Sequence, residues 1–81
     1  MAIQAQYVAL TTKGGGHWVV LVGEKGESRD SVYQRARTHV SRSSTDDEVN
    51  NLIVMSVSAT RRAYPEAWRH YEYAKLAGIP Y

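Results

Sequence analysis

Hydrophobic and polar positions change their period several times along the chain, and each change marks an element. Residues 2 to 12 carry Ile3, Tyr7, Val8, Leu10, Thr11 and Thr12, types that suit a pleated backbone. Lys13-Gly14-Gly15-Gly16 interrupts them, and His17-Trp18-Val19-Val20-Leu21-Val22 resumes the pattern. Two such runs about a short glycine-rich loop predict a β-hairpin. Beyond Gly23 the period lengthens. At 100° per residue Val32, Tyr33, Ala36 and Val40 share one stripe, with Gln34, Thr38 and Ser41 opposite. Ser28 is placed to cap this helix and Asp30 to oppose its dipole, so a first helix is predicted over about 29 to 42.

The stretch from Ser41 to Asn51 is polar, and Thr45-Asp46-Asp47-Glu48 has the spacing of a capping box, which predicts a short helical turn. Residues 52 to 60 return to a period of two. Ile53, Met55, Val57 and Ala59 share an apolar face, while Leu52, Val54, Ser56 and Ser58 share one that turns polar. That asymmetry predicts a third strand in a sheet with one face covered and one partly open. Pro65 suits the first turn of a second helix and Gly78 its end, with Pro80 beyond. The expected fold is a single α+β domain over residues 1–81, a three-stranded antiparallel sheet with one helix packed on a face. Its order is β-β-α-β-α, and the second helix is expected at the sheet edge or against the first helix.

That second helix has apolar residues on two sides. Ala67, Trp68, Tyr71 and Ala74 lie along one, and Tyr73, Leu76 and Ala77 lie roughly opposite. A surface helix needs one apolar stripe. The second is therefore expected to meet a protein partner or a second copy, in a homodimer formed through this helix.

Composition narrows the chemistry. The chain holds 10 Lys+Arg against 8 Asp+Glu, and no Cys. Disulfides, thiolate zinc sites and thiol catalysis are thereby excluded. His17, His39 and His70 have no metal-ligand spacing, and neither a metal nor a cofactor is expected. The charge is uneven: residues 51–81 carry Arg61, Arg62, Arg69 and Lys75 against Glu66 and Glu72. In the first helix Arg29, Arg35, Arg37 and Arg42 face only Asp30. Arginine suits bidentate contact with carboxylate or phosphate, so Arg35, Arg42, Arg61 and Arg62 are the candidate polar contacts, and Trp68, Tyr73 and Leu76 the candidate apolar ones.

The glycine run is no phosphate-binding loop, because a strand follows it where that motif needs Gly-Lys-Ser/Thr and a helix. Gly23-Glu24-Lys25-Gly26 matches the KH-domain Gly-x-x-Gly in letters, but it joins a strand to a helix rather than two helices. The start of the chain has no basic region followed by an apolar one, so no signal peptide is expected. The longest wholly apolar run, Trp18 to Val22, is too short to cross a membrane. A soluble protein of the cytoplasm is expected, or of the host cytoplasm if a phage encodes it.

Tyr7 to Leu10, His17 to Val22, the stripe Val32, Ala36 and Val40, and Ile53 to Val57 together resemble small bacteriophage-encoded β-β-α-β inhibitor proteins. These include inhibitors of host RNA polymerase and anti-CRISPR proteins. The resemblance covers residues 3 to 60 and is one of pattern, so it transfers no functional residue. It implies a function without chemistry, the occlusion of a surface on a host nucleoprotein complex. The hairpin with its Gly-Gly-aromatic strand also resembles a HicB-like antitoxin half-domain, which would place another strand before the helix. His17 after its glycine turn resembles the catalytic His of toxin nucleases with a double-stranded-RNA-binding-like fold, though those begin with a helix. The expected function is thus a non-enzymatic interaction protein. The alternatives are a nucleic-acid-binding module using Arg35, Arg42, Arg61 and Arg62, and a ribonuclease-like toxin centred on His17.

Overall fold

The computed structural model describes residues 6–42 and 46–78. The hairpin forms as the pattern demands, from β1 (Tyr7–Lys13) and β2 (Gly16–Val22). Gly14 and Gly15 turn it with φ of 62° and 85°. Consecutive positive φ values give the type I′ turn, whose twist matches that of the flanking strands. Residues 2 to 5 of the expected first strand lie outside the described residues. Ala9 pairs with Leu21 but Leu10 with Val19, so Val20 is a bulge. The bulge sends Val20 and Leu21 to the same side of the sheet, where both join one apolar cluster. This is why five consecutive apolar residues fit a strand that alternates elsewhere.

The first helix, α1 (Arg29–Ser41), is capped by Ser28, whose hydroxyl accepts from the Ser31 amide at 3.1 Å. Its stripe of Val32, Ala36 and Val40 is buried against Ala9, Val20, Leu52 and Val54. Gly23 permits the approach of helix to hairpin. A Cβ at this position would run into Val32 Cγ2 and lie 3.2 Å from the Tyr7 carbonyl oxygen. A short helix, α2 (Asp46–Asn50), fits the expected helical turn, although Thr45 lies outside the described residues. Fully buried Thr11 ties it to β1 by donating to the Glu48 carbonyl, and Asn51 Nδ2 donates to Thr12 Oγ1 at 2.8 Å.

The chain then enters β3 (Ile53–Ser56), which pairs antiparallel with β1 and gives the sheet order β2-β1-β3. The expected strand over 52 to 60 stops early because Ser56 acts as a helix cap. Its hydroxyl accepts from the Ala59 amide at 3.2 Å, and Thr60 Oγ1 donates to its carbonyl at 2.8 Å. Residues Val57–Ala63 form α3, and Pro65–Leu76 form α4 with Pro65 in its first turn. Period two over Val57 to Ala59 fits either conformation, and the local hydroxyl bonds settle it as helix.

Each face of the sheet carries a helix, and the partly open face is the opposite of the one expected, for Ile53 and Met55 are only half-buried while Leu52 and Val54 are buried. The side carrying Leu52 and Val54, expected to be the open one, receives α1. The side carrying Val8, Leu10, Val19, Ile53 and Met55 receives Ala67, Trp68 and Tyr71 of α4. The second helix packs over β2, an edge strand of the sheet, which is one of its two expected placements, and among the described residues it makes no contact with α1. Two thin apolar layers, one each side of β1, replace a single core. Each buried Val or Leu in them contributes about 1.5–3 kcal/mol of transfer free energy.

Candidate interaction surfaces

Placing α1 and α4 on opposite faces of the sheet separates side chains that the sequence leaves together. On α4, Ala67 and Ala74 turn inward while Tyr73 and Leu76 turn out, at 66% and 89% exposure. They are the exposed large hydrophobic residues among those described. Trp68 does not join them. It is half-buried against the inner cluster, its ring 5.4 Å from that of Tyr71, and so serves the core rather than the outer side.

Arg35 is not a free cation. Its Nε and Nη2 donate to the two carboxylate oxygens of Glu27 at 2.9 and 2.7 Å. The same carboxylate accepts from Ser31 Oγ at 2.6 Å and from the Glu24 amide at 2.9 Å. These donors, with Arg35 foremost, hold the Glu27 carboxyl at about pKa 2, well below its ordinary value. The pair closes the turn at residues 24–27, where Gly26 has φ 84° and the Glu27 amide donates back to the Glu24 carbonyl at 2.9 Å. Spacing could have revealed it. Glu27, Ser31 and Arg35 stand at i, i+4 and i+8, one helical face extended backwards past the cap.

Arg42 is exposed at the C-terminal end of α1 and, among the described residues, makes no side-chain hydrogen bond or ion pair. Arg61 and Arg62 are exposed in the last turn of α3, where cations meet the negative end of a helix. The candidate arginines thus do not form one patch: Arg35 and Arg42 ride on the α1 side, Arg61 and Arg62 on the helix leading into α4. Arg29, not singled out by its sequence context, spans from α1 to the sheet edge and donates to the Val54 carbonyl at 2.8 Å.

His17 is exposed and stacks on Tyr64, with ring centroids 4.1 Å apart. Glu66 lines the same cleft, at the start of α4. His39 lies on α1 and His70 on α4, and among the described residues no group of three His, Cys, Asp or Glu is placed to hold a metal. No helix among the described residues is long and apolar enough to cross a membrane. Comparison with protein-family models, with curated proteins and with solved structures finds no match.

Proposed function

We propose that this chain is a small non-enzymatic interaction protein that occludes a surface on a protein partner, in the manner of a phage-type inhibitor of a host complex. The observation that supports it is the outer side of α4. Its inner side already fills one apolar layer, while Tyr73 and Leu76 stand at 66% and 89% exposure. An aromatic ring beside an aliphatic side chain on a rigid helix is the kind of anchor that binding surfaces concentrate.

The test is affinity capture from bacterial lysate at near-physiological salt, comparing wild type with a Tyr73→Ser/Leu76→Arg double variant. The expected result is a protein captured by wild type and lost with the variant. Capture of nothing, or of the same proteins by both, overturns the reading. If the partner is a second copy, light scattering gives a dimer for wild type and a monomer for Leu76→Arg.

A nucleic-acid module is the second reading, favoured by the exposure of Arg61, Arg62 and Arg42. The engagement of Arg35 by Glu27 weakens it, since it removes a cation from an already modest charge. It predicts DNA or RNA binding that falls steeply with salt.

A further inference from the structure

On the face of the sheet opposite α4, a groove of about 470 Å³ runs between α1 and β2. Leu21 on β2 provides apolar surface, and Thr38, His39 and Arg42 of α1 line it, with Arg35 at its N-terminal end. Arg35, His39 and Arg42 are spaced i, i+4 and i+7, so they form one row about 10 Å long on a single flank of the helix. One end of this row already holds a carboxylate, that of Glu27. At the other end His39 and Arg42 are exposed and, among the described residues, make no side-chain hydrogen bond or ion pair.

We propose that this groove binds an extended acidic peptide segment of a partner protein, with a carboxylate on Arg42 and His39 and a neighbouring apolar side chain on Leu21. The length fits. Carboxylates on alternate residues of an extended chain lie about 6.6–6.8 Å apart, so a segment of four or five residues spans the row. The mixed lining fits a peptide better than a nucleic acid, because Leu21 offers an apolar contact that a phosphate backbone does not use. Glu27 acts as an internal competitor, occupying the site nearest the start of the helix so that a partner carboxylate takes the free end. This inference is independent of the role proposed for Tyr73 and Leu76, and the two surfaces can be occupied together.

The test titrates the ¹⁵N-labelled full chain with the acetylated, amidated peptide Glu-Leu-Glu-Leu-Glu, and with a counterpart carrying Lys in place of Glu. Amide shifts are expected for the acidic peptide alone, confined to Leu21 and residues 38–42. Arg42→Glu should weaken binding about tenfold, the loss of one charge-assisted contact, and Arg42→Lys should restore part of it. Glu27→Gln should strengthen binding about threefold by releasing Arg35, the scale of an exposed ion pair. Leu76→Arg should change nothing. The proposal is overturned by the absence of shifts at millimolar peptide, by an equal response to the Lys peptide, or by indifference to Arg42→Glu. Tighter binding of an oligothymidylate to the same residues would also overturn it, in favour of nucleic acid.

Discussion

The two faces of the sheet are held by different chemistry. On one, α1 lays a stripe of small side chains, Val32, Ala36 and Val40, against the sheet, and polar contacts fix its N-terminal end: the Ser28 cap, the Glu27 carboxylate with its donors, and Arg29 on the Val54 carbonyl. On the other, α4 begins without a side-chain cap bond and is held by large rings. Trp68 and Tyr71 pack against the strands, and Tyr64 stacks on His17. A helix with small inward residues comes close to the sheet but gains little area per residue, so its position is set by directional bonds. A helix with aromatic inward residues gains area and relies on shape. The α1 side should therefore be sensitive to charge and backbone, the α4 side to side-chain volume.

The largest expected effect is on the aromatic side. Trp68→Ala should cost about 3 kcal/mol, at the lower end of the range for losing a large core ring because Trp68 is only half-buried. Urea unfolding followed by circular dichroism would measure it. A loss below about 1 kcal/mol would mean that α4 is not held by its rings, and the contrast between the faces would fail.

On the α1 side the most damaging small change is Gly23→Ala. The added methyl meets Val32 Cγ2 and the Tyr7 carbonyl oxygen, and backbone cannot swing aside as a side chain can. Overpacking of this kind costs about 1–3 kcal/mol. The companion Val32→Ala/Gly23→Ala makes room for the methyl, so part of the Gly23→Ala loss should disappear in a double-mutant cycle. Simple additivity would place the strain elsewhere.

The polar fastening of α1 gives a smaller effect with a defined pH window. Glu27 is held at about pKa 2 against an ordinary value of 4.5, so its folded-state pKa is depressed. The stability it contributes is therefore fully present above about pH 4.5 and is lost as pH falls towards 2. Wild type should exceed Glu27→Gln in urea midpoint at pH 7, and the two should converge near pH 2. Arg35 is half exposed, so salt should shrink the difference at pH 7. A gap that persists unchanged at pH 2 would assign the effect to the shape of the turn instead of its charge.

Local signals were read most directly where one residue type admits one backbone. Gly14 and Gly15, Ser28 ahead of α1, Pro65 at the start of α4 and Gly78 with φ 71° at its end all sit where the pattern placed them. Three features were illegible for physical reasons. Ser56 competes for two conformations with the same residues, and only its hydroxyl bond to Ala59 decides between them. The bulge at Val20 leaves no mark in an unbroken apolar run. Which face a helix takes depends on chain crossings that periodicity does not encode, so the separation of Arg35 and Arg42 from Tyr73 and Leu76 emerged only in three dimensions. The pairing of Arg35 with Glu27 was visible as spacing but lay across a cap, where helical neighbours are not sought.

The smallest expected effect on stability is the sharpest test of what α4 is for. Its inner residues carry the packing, whereas Tyr73 and Leu76, at 66% and 89% exposure, have little area left to lose from water. The Tyr73→Ser/Leu76→Arg variant should then change unfolding free energy by no more than about 0.5 kcal/mol, the range for surface positions free of special contacts. Its partner capture should vanish all the same, separating binding from folding in one protein. A stability loss above about 1 kcal/mol would instead show that the outer side of α4 packs within the chain. The large apolar side chains of this helix would then all be structural, and the aromatic face would hold no surplus for a partner.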